Sequence, residues 1–309
     1  MVAPKENGST SGVAMALTGK GATPPSDLQA TLKDKKFKEK VRGYSARFSA
    51  GYADTIGKRP TMEDKLVIFG QFGARADADY FAVFDGHGGA DAAAFAGKSL
   101  HKYLQDALEA RKWASDVASV TAACTDALAA CQRAIEADGV EGGTTALLVL
   151  VLQKQLFVAN LGDCRAVLIT RDGKGERASY DHKPTDPIEE ARIVAAGGHV
   201  TRVAANGVTT GRVNGMLAVA RSLGDNSLRQ YLTAQPQVHG PFDVAAYQGL
   251  IVACDGVWDV VSDNTAARLA AAAIAKNNDV EQAAIQVRNK AFTRLSKDNI
   301  SVLVVNLTK

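Results

Sequence analysis

Cysteine and long hydrophobic segments are both scarce in this chain. Its 309 residues include 4 cysteines, and no two of them form a CxxC pair. This argues against a zinc knuckle or a disulfide framework and favours buried, reduced thiols, which fit a reducing compartment. No segment approaches the ~20 apolar residues of a membrane-spanning helix, and the stretch from Val13 to Leu17 is too short for a signal peptide. We therefore expect a cytoplasmic protein without a membrane span, and a nuclear location is left open.

An excess of charge of either sign is also missing. The 36 Lys and Arg residues against 33 Asp and Glu residues give a net charge of +3, with both signs spread along the chain. A nucleic-acid partner is therefore not expected. With 46% hydrophobic and 22% charged residues, the composition is typical of a globular protein, and we expect a monomer.

The N-terminal segment departs from this globular composition. Residues 1–26 are rich in Gly, Ser, Thr, Pro and Ala without hydrophobic periodicity, which is typical of a mobile arm. Acidic residues interrupt the lysine-rich stretch from Lys33 to Lys40, so a solvated helical face is favoured over a docking patch. We predict a flexible arm over residues 1–44 and one folded domain over residues 45–309.

Hydrophobic patterns predict groups of strands and helices along the rest of the chain. Strands are predicted at Phe48–Ala53, Lys65–Phe69, Tyr80–Phe84, Thr145–Leu152, Gln155–Ile169, Gly249–Cys254 and Ile300–Leu307. Helices are predicted after Ala90, over 116–137, from Asp186 to Gly197, over 264–276 and over 280–295. Residues 199–216 are polar, so we expect an irregular surface flap there. Because strands occur in adjacent pairs as well as between helices, we expect an α+β fold of antiparallel sheets covered by helices.

A strand, a tight turn and a helix start are predicted between Tyr80 and Gly89. The apolar strand that ends at Phe84 is followed directly by Asp85, Gly86 and His87. Glycine lets such a turn approach a ligand closely. An ordinary turn with a solvated aspartate explains this motif alone equally well.

Other carboxylates share the same position at the end or beginning of an apolar strand. They are Glu63–Asp64, Asp163 after Gly162, Asp255 before Gly256, and Asp298 before Asn299. A carboxylate is costly to bury unless it is paired or bound to a metal. Any one of these acids could simply terminate a strand, but together with Asp85 they predict a shared cation site. Ligands that are all oxygen atoms suit Mg²⁺ or Mn²⁺.

A series of motifs in this chain resembles those of the metal-dependent protein serine/threonine phosphatases of type 2C, in the same order. The motifs are Arg59–Asp64, Phe84–Gly89, Gly143–Ala146, Asn160–Ala166, Asp181–Pro184, Gly211–Gly215, Ala220–Asp225, Ala253–Asp259 and Ser296–Asn299. The resemblance covers about residues 45 to 308. It implies one domain with a four-layer αββα sandwich, in which two antiparallel sheets are flanked by helices. It also implies hydrolysis of phosphoserine and phosphothreonine in proteins by a metal-activated water, with in-line attack on phosphorus.

The resemblance implies two Mn²⁺ or Mg²⁺ ions and a weaker third ion. The residues that resemble the core ligands are Glu63, Asp64, Asp85, Gly86, Asp255 and Asp298. Asp85 would bridge the two ions, and the carbonyl of Gly86 would bind one of them. Asp255 and Asp298 would hold the other ion, and the acidic pair before Lys65 would act directly or through water. The residues that resemble the accessory third site are Asp163 and Asp259.

The resemblance also assigns the contacts to the substrate. Arg59 would clamp the phosphate, because its planar guanidinium matches a phosphate group. Arg212 sits where the family's flap meets the phosphopeptide, although the segment from Val203 to Thr210 is long for the family. His87 would protonate the leaving alkoxide. The predicted catalytic residues are thus His87, Arg59 and Asp85.

Other interpretations differ in how well they fit the sequence. The stretch from Ala92 to Ser99 loosely matches a phosphate-binding loop, but it is made of helix-forming alanine where glycine is needed. A dinucleotide site at Gly86–Gly88 fails because Asp91 replaces the third glycine. A small-molecule phosphatase and an inactive scaffold of the same fold remain as alternatives.

Overall fold

Two antiparallel sheets contain most of the strands. The computed structural model describes residues 15–17, 47–205 and 208–308. The first sheet has six strands in the order β1 (Met15–Leu17), β3 (Lys65–Gly70), β4 (Ala78–Phe84), β7 (Ala146–Leu152), β8 (Gln155–Leu161) and β14 (Gln237–Asp243). The second sheet has five strands in the order β10 (Gly175–Arg177), β9 (Arg165–Thr170), β15 (Tyr247–Ala253), β16 (Ile300–Asn306) and β2 (Ser49–Thr55).

Helices cover the outer face of each sheet. The helices are α1 (Asp91–Ala110), α2 (Val117–Ala137), α3 (Pro187–Ala195), α4 (Asp255–Trp258), α5 (Asp263–Asn277) and α6 (Val280–Thr293). The first two pack on the six-stranded sheet, and α5 and α6 pack on the five-stranded sheet. Each helix presents a row of buried small and aliphatic residues to its sheet.

The two sheets face each other across a central apolar layer. In β3, Leu66 and Ile68 point into this layer, whereas Val67 and Phe69 pack against the helices. Every residue of β3 is buried, because one side of the strand meets a sheet and the other meets helices. The apolar runs therefore show no polar alternation. The predicted four-layer αββα sandwich is confirmed.

Helix starts follow the predicted capping chemistry. The carboxylate of Asp186 accepts hydrogen bonds from the backbone N–H groups of Ile188 and Glu189, with Pro187 in the first turn. The carboxylate of Asp279 accepts from Gln282 in the same way at the start of α6. These side chains satisfy backbone donors that the first helical turn leaves without partners.

The segment Gln155–Ile169 was wrongly predicted as one strand. It forms β8 and β9, which belong to different sheets. Gly162 sits between them with φ +111, a backbone conformation that favours glycine, and a Cβ there would lie 2.5 Å from Thr145 Cγ2. The chain therefore crosses from one sheet to the other within a few residues, and Asp163 lies at this crossing.

The prediction of an irregular flap over 199–216 was also wrong. Most of that segment is a hairpin of β11 (Val200–Ala205) and β12 (Val208–Val213), with Val200 paired to Val213. Valine and threonine recur in both strands and favour extended backbone even on an exposed surface. The predicted Asn206–Gly207 turn lies outside the described residues.

A third, small sheet connects the turns at one end of the sandwich. It contains three short strands in the order β13 (Leu223–Gly224), β6 (Gly143–Thr144) and β5 (Gly86–His87). In its antiparallel register, Gly143 pairs with His87 on one side and with Gly224 on the other. This sheet therefore fixes the turn that follows Asp85.

Two predictions made from composition concern the N-terminal arm and the cysteines. Met15–Leu17 of the predicted arm form β1 beside β3, and the remainder of that arm lies outside the described residues. The 4 cysteines are all buried and free, as predicted. Among helices in the described ranges, none is both long and apolar enough to cross a membrane.

Candidate active site

Antiparallel pairing brings the predicted acidic residues to one edge of the sandwich. Lys65, the first residue of β3, pairs with Phe84, the last residue of β4. Asp64 and Asp85, which flank this pair, therefore leave the six-stranded sheet together. The same arrangement in the five-stranded sheet, where the end of β15 lies beside the start of β16, places Asp255 near Asp298.

The carboxylates converge on a cleft of about 490 Å³. Predicted residues that line it are Arg59, Glu63, Asp85, Gly86, His87, Asp163, Arg212, Asp255 and Asp298. Asp64 is 1% exposed, and its carboxylate, that of Asp85 and the thiol of Cys254 have ligand atoms within 4.8 Å of one another. Asp259 lies to the side, with a side chain that is 58% exposed.

Burial makes the negative charge of this cluster costly. The pKa of Asp64 is raised to about 7, mainly by burial, and Ser301 and Cys254 beside it oppose this shift only in part. Burial likewise holds the pKa of Asp85 and that of Asp255 well above the usual range, and neighbouring carboxylates add to both shifts. Carboxylates in such surroundings gain strongly from a cation that neutralises them.

The carboxylate of Asp64 gives a direct test of whether a cation fits. Both of its oxygen atoms are buried, and neither has a hydrogen-bond partner of normal geometry among the residues that the structure describes. Unpartnered buried oxygen atoms are rare in folded proteins. Because they lie close to the carboxylate of Asp85, in a group of buried and half-buried acids, the residues present fit a hard divalent cation.

Glu63 is held differently from the other carboxylates. One of its oxygen atoms accepts a hydrogen bond from Thr61 Oγ1 at 2.7 Å, and the other accepts from the backbone N–H of Gly89 at 3.2 Å. Its own N–H donates to Asn299 Oδ1 at 2.9 Å. With both oxygen atoms engaged, Glu63 suits a contact to a cation through water.

Arg59 extends over the rim of the cleft. Its Nη2 donates to Asp298 Oδ2 at 2.6 Å, and 54% of the side chain is exposed. The guanidinium therefore sits beside a candidate cation ligand with donors left for an incoming phosphate. Arg212 also lines the cleft, where its Nη1 donates to the carbonyl of Met216 at 2.5 Å.

A lysine lies between the two residues of the predicted accessory site. Lys183 Nζ is 2.9 Å from Asp259 Oδ1 and 3.7 Å from Asp163 Oδ2. Burial raises the pKa of Asp163 to about 6, and the charge of Lys183 counteracts part of that rise. The two carboxylates of the predicted accessory site thus share the ammonium group of Lys183. This residue lies in the motif Asp181–Pro184, but no role was predicted for it from the sequence.

His87 contacts an acidic residue that the sequence analysis assigned no role. Its Nε2 lies 2.8 Å from Asp225 Oδ2, and both residues line the cleft. Asp225 follows Gly224, so it shares the glycine-adjacent position of the other acids. The neighbouring glycine could have indicated Asp225 from the sequence, but the other acids were recognised because they adjoin apolar strands, and Asp225 does not flank a long one.

Comparison with known proteins agrees with this geometry. A family model described as Protein phosphatase 2C matches residues 52–300. The rice (Oryza sativa subsp. japonica) protein "Probable protein phosphatase 2C 59" is 39% identical over 268 residues, which cover 85% of this chain and 77% of the rice protein. The "Protein phosphatase 2C homolog 1" of Schizosaccharomyces pombe is 35% identical over 262 residues, or 81% of this chain and 70% of the yeast protein.

Solved structures share the architecture. A crystal structure of serine-threonine phosphatase 2C from Toxoplasma gondii aligns with a TM-score of 0.70 at 24% identity, over 85% of this chain and 96% of that one. At this identity the similarity establishes the fold.

Proposed function

Because the chain belongs to the protein phosphatase 2C family of protein serine/threonine phosphatases, we propose that it hydrolyses phosphoserine and phosphothreonine in proteins with the help of two divalent cations, Mn²⁺ or Mg²⁺. The observation that carries the metal-dependent part is the pair of unpartnered, buried oxygen atoms of Asp64 within a cluster of carboxylates.

The carboxylates at the strand ends would hold these cations. Asp85 and the carbonyl of Gly86 would serve one ion, with Asp85 shared between both, and Asp255 and Asp298 would serve the other. When bound, two such cations activate a water molecule and neutralise charge on the phosphate. Glu63 is positioned to act through water, because Thr61 and Gly89 already occupy its oxygen atoms.

Two further side chains would act on the substrate itself. Arg59 would exchange part of its contact with Asp298 for the phosphate oxygens and orient the ester for in-line attack. As the water oxygen bonds to phosphorus and the bond from phosphorus to the substrate Oγ breaks, His87 would give a proton to that Oγ. Arg212 at the rim would contact the peptide around the phosphorylated residue.

Phosphatase activity on a phosphothreonine peptide tests this proposal directly. We expect hydrolysis with Mn²⁺ or Mg²⁺ and a loss of activity in excess chelator that fresh metal restores. Full activity in chelator would overturn the role of the cations. If the protein hydrolyses small phosphate esters but not the peptide, the small-molecule phosphatase is favoured. If it hydrolyses neither substrate, the inactive scaffold is favoured.

We also propose a monomer in the cytoplasm, on the basis of the buried free thiols and the mixed surface charge. Light scattering of the purified chain and imaging of a tagged copy in cells are the corresponding measurements. A stable dimer, or a compartment other than the cytoplasm and the nucleus, would contradict these predictions.

A further inference from the structure

The imidazole of His87 is paired with a carboxylate that is separate from the candidate cation ligands. His87 Nε2 lies 2.8 Å from Asp225 Oδ2, and their side chains are 24% and 10% exposed. We propose that Asp225 is a positioning residue that fixes the ring of His87 for proton donation to the leaving group. This inference rests on the proposed role of His87 as the proton donor.

The small three-stranded sheet sets the distance between the two side chains. Gly143 in its central strand pairs with His87 on one side and with Gly224 on the other. Asp225 comes directly after Gly224, and its N–H donates to the carbonyl of Gly142 at 2.9 Å. The strand register therefore places the histidine and the aspartate on opposite sides of one glycine.

The lack of a side chain at Gly143 makes the contact between them possible. A Cβ at this position would lie 2.1 Å from Asp225 Oδ2 and 2.4 Å from His87 Nε2. Atoms that are not bonded to each other cannot approach so closely. The His87–Asp225 pair thus occupies the space that any larger residue at position 143 would need.

The backbone of Asp225 is held in a conformation that few residues adopt. Its φ of 50 and ψ of 45 lie in the left-handed region, which aspartate tolerates better than most side chains do but which still costs energy. Such strain persists only where the surroundings impose it, and it is concentrated at functional sites. Here it directs the carboxylate of Asp225 toward His87.

Neighbouring groups impose this conformation through several hydrogen bonds. Ser222 Oγ donates to Asp225 Oδ2 at 2.6 Å, and the N–H of Gly224 donates to Gln132 Oε1 at 2.8 Å. Gln132 lies on α2 and is 6% exposed. Arg229 donates to the carbonyl of Ser222 at 2.9 Å. Ser222 therefore holds the carboxylate, and the buried Gln132 of α2 holds the backbone next to it.

This pairing decides which part of the imidazole meets the substrate. With Nε2 engaged by Asp225, Nδ1 is the ring nitrogen available for the leaving group. Without the carboxylate the ring can rotate, so the proton donor would be misplaced while the cation ligands stay in position. A positioning residue should thus matter for substrates that need a proton and hardly matter for those that do not.

Two substrates with different leaving groups test the proposal. The leaving group of a phosphothreonine peptide is the threonine alkoxide, which needs a proton. The leaving group of p-nitrophenyl phosphate is nitrophenolate, which leaves without one. We expect Asp225→Asn to lower kcat for the peptide by roughly 10–100-fold, the range typical of orienting partners, with little change in KM or in the rate for p-nitrophenyl phosphate. Asp126→Asn, which removes an exposed carboxylate paired with Arg111, is the matched control.

A double variant shows whether Asp225 acts through His87. In a His87→Gln background, Asp225→Asn should cause no further loss on the peptide. Additive losses, or a loss of equal size on both substrates, would overturn the proposal. If Asp225→Asn lowers the thermal unfolding midpoint strongly, Ser222→Ala is the milder variant. It should slow hydrolysis of the peptide by a smaller factor and leave p-nitrophenyl phosphate unaffected. Unchanged activity on the peptide would contradict a role for the contact between Ser222 and Asp225.

A spectroscopic measurement is independent of turnover. The ¹⁵N signals of the His87 ring, assigned by their absence in His87→Gln, should shift in Asp225→Asn and Gly143→Ala but not in Asp126→Asn. Unchanged signals would overturn the contact itself. A different result would count against the proposed function alone. If the ring signals shift in Asp225→Asn but His87→Gln slows both substrates equally, His87 is paired with Asp225 and is not the proton donor. The two failures can therefore be told apart.

Discussion

Asp85 combines two features that conflict unless a cation is bound: it is half-buried, and other carboxylates lie next to it. Burial first, and then the charges of Asp64 and Asp255, hold its pKa well above the usual range. The same residue should therefore cost stability in the metal-free protein and supply binding energy when cations are present.

Replacement of this carboxylate should separate the two effects. We expect Asp85→Asn to lower kcat by roughly 10²–10³-fold, comparable to the loss of one strong electrostatic contact at an active site, and to weaken Mn²⁺ binding in calorimetry. In the presence of chelator, the same variant should unfold at a higher temperature than the unmodified protein. Tight Mn²⁺ binding with near-normal kcat would contradict the assignment, and Asp126→Asn again serves as the control.

His182 gives a second prediction at this scale, on pH. It is fully buried, and burial, with a further contribution from the charge of Arg221, lowers its pKa to about 4. In the tautomer with its proton on Nε2, it donates to Gln237 and accepts from the N–H of Gly162. Protonation would turn that acceptor into a donor.

The sign of the pH effect follows from this lowered pKa. Between about pH 6.5 and pH 4 the unfolded chain binds a proton at His182 and the folded protein does not, so stability is present above that window and falls as the pH falls through it. The full loss is about 3 kcal/mol. Urea unfolding at several pH values should show a shallower dependence for His182→Gln, with His199→Gln as the solvent-exposed control. If the free energy of unfolding depends on pH in the same way for the unmodified protein and for both variants, His182 is not the source of the pH effect.

Individual site residues differ in how far the sequence could reveal them. Asp85, Asp255 and Asp298 adjoin apolar strands, so the pattern itself marked them as acids at strand ends. Lys183 and Asp225 lie in polar loops, where nothing local indicates what they contact. Their partners are fixed by long-range strand pairing, which a hydrophobic pattern does not encode.

At the scale of elements, the sequence predicted buried strands and capped helices better than crossings and exposed hairpins. Apolar residues lie on both sides of Gly162 and Asp163 in the segment Gln155–Ile169, and the turn at these two residues divides it between two sheets. The hairpin of β11 and β12 failed for the opposite reason. Polar and small residues dominate its sequence, so its valines and threonines stood out less than its turns.

This hairpin should contribute to binding of peptide but not to the chemical step. Arg212 on β12 lines the cleft, whereas Arg202 on β11 pairs with Glu190 of α3. We expect Arg212→Ala to raise KM for a phosphopeptide roughly 5-fold, which corresponds to a rim contact of about 1 kcal/mol, with kcat unchanged. Arg202→Ala is the matched control on the same hairpin. Equal KM values for the two variants would remove Arg212 from substrate binding.

At the scale of the whole molecule, every predicted site residue lies within residues 59–298, outside the predicted arm. A variant that begins at Gly43 should therefore keep kcat for p-nitrophenyl phosphate within about 2-fold, since no catalytic group is removed. Because β1 pairs with β3, the truncated protein should expose a strand edge and associate more readily. Steady-state kinetics and light scattering check the two outcomes, and a folded but inactive variant would show that the arm completes the site.

The four layers could be predicted because each sheet needs helices on one face and the other sheet on its opposite face. Apolar strands and helices rich in alanine predicted antiparallel sheets covered by helices, whereas the stacking of two sheets in four layers came from the resemblance to the type 2C phosphatases. Which strands pair was not evident from the pattern, because the six-stranded sheet combines elements from distant parts of the chain. The family motifs implied only that ligands from distant parts of the chain converge in one cluster, so the strand order stayed unpredicted.

The candidate ligands come from both sheets, so cations should hold the two sheets together. Asp64 and Asp85 flank strands of the six-stranded sheet, and Asp255 and Asp298 flank strands of the five-stranded sheet. At a free Mn²⁺ concentration of 100 times Kd, one site contributes about 2.7 kcal/mol to the free energy of unfolding. We expect Mn²⁺ to raise the unfolding midpoint by roughly 4–5 °C per site in a chain of this size.

Thermal unfolding with Mn²⁺ and with chelator measures this coupling between the sheets. Asp298→Asn should lose part of the Mn²⁺ shift and regain it at higher metal concentration, because one of the two cations keeps its ligands. Asp85→Asn should lose most of the shift at any practical concentration, because the carboxylate proposed to serve both cations is gone. An equal Mn²⁺ shift in Asp85→Asn and in the Asp126→Asn control would mean that cations bind somewhere other than between the two sheets.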